Sequence, residues 1–259
     1  MNSPPTLAWQ PYCGTAPTAA GLWSHWNLDP ALLAGLVLAA LALAVGVARS
    51  TGVSRARAAA AWGVLALLFV SPLCAATSAL FAARVSHHLL LVAMAMPLLA
   101  WAWPLRVGAR RDLAKWTALQ AVVFWAWHAP AAYAWTFSSD AGYWLLQGTL
   151  GAVAWWFWRA LRGASAPAAV AALLATMVQM GLLGALLTFA PTPLYAPHLL
   201  TTASFGLTPL EDQQLGGLLM WVPASLVYAA MAAVRVRDAL VPLARHAARP
   251  VEVHRDAAR

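Results

Sequence analysis

Charged residues are scarce in this sequence, and their scarcity excludes most classes of soluble protein. Only 9% of the 259 residues are charged, whereas 62% are hydrophobic, and the mean hydropathy is +0.68. An ordinary soluble domain is about 25% charged and about 45–50% apolar. The composition therefore excludes a water-soluble globule, a disordered chain and a fibrous protein, and it predicts an integral membrane protein.

Several patterns that would point to other functions are also missing. Polar and apolar residues do not alternate over segments of about ten residues, as the strands of an outer-membrane barrel require. The chain does not open with a basic region followed by an apolar core, so we expect no cleavable signal peptide. The GxSxG, HExxH, CxxC, Walker and GxGxxG motifs are absent, and we expect a protein that is not an enzyme.

Long blocks of Ala, Leu, Val and Trp predict an all-α bundle of seven transmembrane helices, because about 20 mostly apolar residues cross a bilayer. The predicted spans are residues 31–48, 58–75, 82–103, 116–134, 143–160, 167–190 and 214–233. We expect an external N-terminal segment over residues 1–30, a membrane domain over 31–234 and a basic cytoplasmic tail over 235–259.

The basic residues predict one orientation for these spans. All but one of the 16 Lys and Arg residues follow the first, third, fifth or seventh span, which places them on one side of the membrane. The positive-inside rule assigns that side to the cytoplasm, so the N-terminus lies outside and the C-terminus inside. Topology thus explains the net charge of +8. We expect contact with anionic lipid and no nucleic-acid partner. The single lysine, Lys115, lies at a cytoplasmic helix start, which excludes a retinal Schiff base.

Histidines and acids are concentrated on the external side. His87 and His88 open the third span, and His128 lies near the end of the fourth. Imidazole, thiol and thioether groups suit copper, and polar groups in a membrane usually face a functional interior. We predict that His88, His128 and Asp212 line one outward-opening copper pocket, with His87 near its rim and Met180 nearer its floor. The alternative is that the histidines are interfacial residues bonded to backbone or water.

Both cysteines lie on the same external side, which is oxidising, and they leave three alternatives open. Cys13 and Cys74 can form a single disulfide. Cys74 precedes His87 and His88 in one external segment, so it can instead be a metal ligand. Both cysteines can also be inert packing residues.

The segment from residue 208 to 217 begins with the pattern of a helix start. Thr208 has the position of an N-cap, Pro209 that of the first helical residue and Glu211 that of the acid in a capping box.

The polar run then continues toward the hydrocarbon through Asp212, Gln213 and Gln214, which predicts a buried polar network. Arg84 is the one basic residue on the external side. We expect Arg84 to pair with Asp212 or Glu211 and so to join the third span to the seventh.

Two pairs of glycines predict close packing of the sixth and seventh spans. Gly181 and Gly184 lie near the end of the sixth span, and Gly216 and Gly217 lie near the start of the seventh. Small residues allow helix backbones to approach each other closely in membranes. We expect this packing to bury the polar run that precedes it.

Longer motifs connect the sequence to a known family. The segments are WNLDP, SPL, a His-Leu-Leu-Leu run, WHAP, GLLGALLTFAPTPLY and LEDQQLGGLLMWVP, and they lie within residues 23–232. In these segments the chain resembles the polytopic CtaG family of assembly factors for haem–copper cytochrome c oxidase.

The resemblance implies functional positions for four residues. His88 matches the second of two histidines that the family has four residues apart in the third span, whereas Arg84 occupies the first position. His128 matches the Trp-His motif of the family, and Asp212 opens its acidic-amide motif.

The resemblance also implies a function. We expect a non-enzymatic assembly factor in the bacterial cytoplasmic membrane that has oxidase subunits as partners and assists copper delivery to them at the external face. Two alternatives stay open. One is a metal-free scaffold for oxidase subunits, and the other is a haem- or quinone-binding redox protein in which His88 and His128 face each other.

Overall fold

The computed structural model describes residues 9–104 and 112–247, with side chains up to residue 241. This part of the chain is helical and contains no β-strand. Its α-helices are α1 (Pro30–Arg49), α2 (Arg55–Val70), α3 (Pro72–Ala79), α4 (Phe81–Leu90), α5 (Met96–Ala102), α6 (Leu113–His128), α7 (Pro130–Trp135), α8 (Asp140–Gly163), α9 (Ala166–Thr188) and α10 (Pro209–Ala247).

Each predicted span coincides with helical structure, but two spans are broken and a third contains a π-helical turn. The second span bends by 50° between α2 and α3, and a π-helical turn at Leu91–Ala95 separates α4 from α5 in the third. The fourth span is divided into α6 and α7. Pro72 and Pro130 begin α3 and α7. Because proline lacks an N–H and disfavours helix at the preceding residue, the preceding helix ends at each of these two positions.

Length and composition support fewer membrane crossings than the seven predicted. Among the described residues, the helices at residues 30–49, 81–102, 166–188 and 209–241 are long and apolar enough to cross a bilayer, and the bent α2–α3 pair makes a fifth if it forms one span. The α6 helix has only 16 residues, and α8 includes Asp140, Gln147, Arg159 and Arg162. The described helices are nevertheless those of a membrane protein.

The α9 and α10 helices pack along an extensive shared surface, and glycines make their close approach possible. A Cβ atom built on Gly184 would lie 2.7 Å from the Gly217 carbonyl oxygen, and one on Gly217 would lie 2.6 Å from the Gly184 carbonyl oxygen. A Cβ on Gly216 would overlap the ring of Phe81. Gly181 is less constrained, since its Cβ would make an ordinary 3.5 Å contact with Trp221.

The α10 helix is longer than the seventh predicted span, and it extends to Ala247. The first part of the predicted tail at 235–259 is therefore helical, and the remainder lies outside the described residues. The α10 helix also packs on α4, while α6 packs on α8 and α9. The α1 helix is peripheral, because it packs on α2 and Leu32 is its one buried residue.

The π-helical turn in the third span is stabilised by residues of the core. Trp158 of α8 is 1% exposed, and its indole N–H donates to the Val92 carbonyl oxygen at 2.7 Å. Its ring stacks on Tyr228 of α10 with the ring centres 5.7 Å apart. Trp158 therefore connects the π-helical turn to α8 and, through Tyr228, to α10.

Candidate functional site: a buried polar cluster

Buried polar side chains collect where α4 faces α7, α8 and the end of α6. We call them the polar cluster, and each is at most 7% exposed. The polar cluster consists of Arg84, His87, His88, His128, Tyr133, Thr136, Tyr143, Gln147 and His198.

Arg84 is held by aromatic rings and one hydroxyl group. Its Nη2 donates to Thr136 Oγ1 at 2.7 Å. Its guanidinium carbon lies 4.2 Å from the centre of the Phe137 ring and 5.0 Å from that of Tyr133. The negative faces of aromatic rings attract a cation, most strongly where water is excluded. These rings compensate part of the cost of burying the charge.

The predicted ion pair between Arg84 and Asp212 or Glu211 is wrong. In the described part of the chain the ion pair joins Arg237 to Asp238, and both candidate acids are occupied by backbone groups. Glu211 accepts from the Thr208 N–H and hydroxyl, both at 2.8 Å, and its own N–H donates to the Thr208 hydroxyl. This is the predicted capping box, which is confirmed.

Asp212 caps a helix other than its own. Its Oδ2 accepts from the N–H of Phe81 at 2.7 Å, and its Oδ1 accepts from the N–H of Ala82 at 3.0 Å. These N–H groups open α4, where the N-cap residue Leu80 has no side chain that can accept. Asp212 is fully buried. A carboxylate of α10 therefore fixes the start of the helix that carries Arg84, His87 and His88.

The two glutamines after Asp212 have different environments. Gln213 is buried, its Oε1 accepts from Leu194 N–H at 2.6 Å, and its Nε2 donates to Leu187 O at 3.3 Å. It therefore holds the connection between α9 and α10 against the bundle. Gln214 is half-buried, and its backbone carbonyl lies 3.5 Å from the Thr188 hydroxyl.

Three histidines of the polar cluster each contact a hydrogen-bonding group. His87 Nε2 lies 3.1 Å from Leu68 O, and the residue is fully buried rather than at the predicted rim. His128 Nδ1 lies 2.7 Å from Phe124 O. His88 Nε2 lies 3.5 Å from the side-chain nitrogen of Gln147. The alternative in which the histidines bond to backbone groups therefore describes His87 and His128.

His198 was not predicted as a site residue. It lies in the connection between α9 and α10, and its Nε2 is 2.7 Å from the Tyr133 hydroxyl. Burial lowers the pKa of His198 to about 3, so the ring is neutral at physiological pH. The sequence indicates only that His198 lies in a predicted external segment. It does not show that the connection between α9 and α10 folds into the bundle.

The structure brings together part of the predicted copper site. The ring centres of His87 and His88 lie 5.8 Å apart, and His128 is buried in the same polar cluster. In the described ranges, however, no three His, Cys, Asp or Glu side chains approach closely enough to hold one metal ion. His88, His128 and Asp212 also line none of the four main grooves. Met180 is 2% exposed and belongs to the apolar core.

Cys74 does not offer a free thiol, because it forms a disulfide with Cys13 at a Cα–Cα distance of 5.3 Å. Of the three alternatives for the cysteines, the structure contains the disulfide. The Cys13 sulfur also lies 3.4 Å from the Tyr143 hydroxyl of the polar cluster. The disulfide therefore holds the N-terminal segment against the polar cluster.

Aromatic packing reinforces this attachment. Tyr12 stacks on Tyr143 with the ring centres 4.9 Å apart, and its hydroxyl donates to Asp29 at 2.6 Å. That hydrogen bond holds the pKa of the Asp29 carboxyl below its usual range. Asp29 in turn accepts from the Ala31 N–H and caps α1. The N-terminal segment thus connects the polar cluster to the start of α1.

We expect Cys13→Ser to lower the free energy of unfolding by about 2–4 kcal/mol, because a crosslink restricts the unfolded chain more when the loop is long. Here the sequence separation is 61 residues. Thermal unfolding of the purified protein in detergent, with and without a thiol reductant, tests this. The reductant should destabilise the wild type and leave the variant unchanged. A wild type that is insensitive to complete reduction would contradict the prediction.

Comparison with known proteins gives one match. Residues 39–240 match the family model described as cytochrome c oxidase caa3 assembly factor. No curated protein and no solved structure matches the chain. The matched range includes every residue of the polar cluster.

Proposed function

Because the chain belongs to the family of cytochrome c oxidase caa3 assembly factors, we propose that it delivers copper to the oxidase during assembly. The observation that carries the proposal is the group of buried imidazoles at His87, His88 and His128 in the polar cluster, with the ring centres of His87 and His88 5.8 Å apart. Imidazole is a good copper ligand. A carrier that releases its cargo needs fewer ligands than a resident site, and the cluster offers no complete set.

We further propose that the chain crosses the bacterial cytoplasmic membrane seven times, with the N-terminus outside. Each predicted span coincides with helical structure, and the distribution of Lys and Arg supports this orientation. In this arrangement the disulfide and the polar cluster lie toward the external side. Copper would then reach the oxidase without entering the cytoplasm.

Copper titration of the purified full chain tests delivery. Ascorbate should serve as the reductant, because it keeps copper as Cu(I) and leaves the Cys13–Cys74 disulfide intact. We expect the wild type to bind Cu(I), and His88→Ala or His128→Ala to weaken binding about tenfold or more, a loss typical of a disturbed metal site. In cells these variants should lower oxidase activity at limiting copper, and excess copper should restore part of it.

His25→Ala is the matched control, because His25 is an external, exposed histidine whose ring contacts the Gly21 carbonyl and not the polar cluster. It should bind copper as the wild type does. The delivery proposal fails if His88→Ala and His128→Ala bind Cu(I) normally and support normal oxidase activity at limiting copper.

A metal-free scaffold for oxidase subunits is the second candidate. It is favoured by the lack of a three-ligand group within the described ranges and by the contacts of His87 and His128 with backbone carbonyls. The same titration separates the two functions. A wild type that binds no Cu(I) but co-purifies with oxidase subunits would support the scaffold.

A further inference from the structure

A groove between α1 and α2 is apolar along its length and basic at one end. Its volume is about 310 Å³. Small and branched side chains of both helices form its walls, with Trp62 toward the middle of α2 and Arg55 at the first residue of α2. Because α1 is a peripheral helix, the groove is open to the surrounding bilayer.

Arg55 lines the basic end of the groove, and Arg49 lies across the short connection between α1 and α2. Arg49 ends α1 and Arg55 begins α2, and both are exposed. Neither side chain has a hydrogen bond or an ion pair within the described residues. Arg57 donates to a backbone carbonyl. The described acids of the predicted cytoplasmic side are engaged elsewhere, because Asp112 caps α6 and Asp238 pairs with Arg237.

We propose that this groove binds an anionic phospholipid of the membrane. One acyl chain lies along the groove between α1 and α2, and the headgroup phosphate lies at Arg49 and Arg55. Guanidinium groups bind phosphate oxygens through strong, paired hydrogen bonds. Each basic residue at the membrane surface strengthens the binding of anionic lipid about fivefold.

Charge decides between a lipid and a partner helix as the occupant. An apolar transmembrane helix would fill the groove but would leave both guanidinium groups unpaired. An anionic lipid contacts the apolar walls with its acyl chain and pairs its phosphate with the arginines. The groove and the polar cluster lie on different helices, so the lipid site does not depend on copper delivery.

Native mass spectrometry of the purified full chain tests the proposal. The probes are dioleoyl phosphatidylglycerol, dioleoyl phosphatidylcholine and glycerol 1-phosphate. We expect phosphatidylglycerol to bind at least tenfold more tightly than phosphatidylcholine. Arg55→Gln should weaken phosphatidylglycerol binding about fivefold, and a further Arg49→Gln about fivefold more. Glycerol 1-phosphate should not compete, because it has no acyl chain.

Two further variants separate the lipid site from general attraction to a basic surface. Arg237→Gln removes an exposed arginine that is paired with Asp238, and it should leave lipid binding unchanged. Ala44→Phe fills the groove from an exposed position of α1, and it should abolish tight binding while both arginines remain.

Several results would overturn the proposal. Unchanged phosphatidylglycerol binding in Arg55→Gln and Ala44→Phe would show that the lipid binds elsewhere. Competition by glycerol 1-phosphate would identify a site for soluble phosphates. Equal binding of the two lipids, with loss of oxidase subunits from Ala44→Phe preparations, would identify the groove as a protein interface.

Discussion

Replacing Gly217 with leucine should prevent the chain from forming a stable bundle. A Cβ at this position would lie 2.6 Å from the Gly184 carbonyl oxygen and 2.8 Å from the Thr188 backbone nitrogen. These atoms belong to the backbone of α9, so they cannot rotate away as the end of a side chain can. The two helices would have to separate along their shared surface. We expect a loss of more than about 3 kcal/mol in the free energy of unfolding.

Gly148→Leu is the matched control for this substitution. Gly148 is an exposed helical glycine, and a Cβ there would meet nothing within 4 Å. Because leucine has a higher helix propensity than glycine, the control should be neutral or stabilising by up to about 1 kcal/mol. Thermal unfolding followed by circular dichroism and the yield of monodisperse protein give the comparison. Equal unfolding temperatures for the two variants would show that the helix crossing tolerates a side chain.

The substitution Gly217→Leu should also displace the polar cluster, because a series of contacts connects α10 to the histidines. The α10 helix, placed by Gly184 and Gly217, carries Asp212, which caps α4. The α4 helix carries Arg84, His87 and His88. The glycines and the acid of the LEDQQLGG segment therefore act together in positioning the helix that carries the histidines.

The positions of the helices could be predicted from the sequence because each depends on a local property. Apolar length located the helical segments, whereas the break before α3 at Pro72 falls inside a span that was predicted as continuous. The capping box at Thr208 and Glu211 was also local, since all of its groups lie within one turn. The end of α10 was misjudged, because a charged helix can continue beyond the apolar stretch.

The partners of the buried polar groups could not be predicted in the same way. The sequence identified Arg84 and Asp212 as unusual, but their opposite charges suggested an ion pair. In the structure, two N–H groups of α4 lie opposite Asp212, and the hydroxyl of Thr136 lies opposite Arg84. The disulfide stayed open for the same reason, because only the folded chain shows that Cys13 and Cys74 are adjacent.

Asp212→Ala should destabilise the protein and remove its function in a way that copper does not repair. The substitution leaves the N–H groups of Phe81 and Ala82 buried without acceptors. Two hydrogen bonds to a charged group contribute about 3–6 kcal/mol. The first turn of α4 should therefore open and displace Arg84 and the histidines. Oxidase activity should fall, and excess copper should restore none of it, in contrast to His88→Ala.

Two comparisons make this prediction specific to the capping of α4. Asp212→Asn keeps one side-chain oxygen that can accept a hydrogen bond, so it should retain part of the stability and activity. Glu211→Ala removes the neighbouring acid, which is exposed and caps its own helix, and should cost only about 1 kcal/mol. If Asp212→Ala unfolds at the wild-type temperature and excess copper restores its oxidase activity, Asp212 acts on copper directly. The cap on α4 would then be incidental, because the histidines would keep their positions without it.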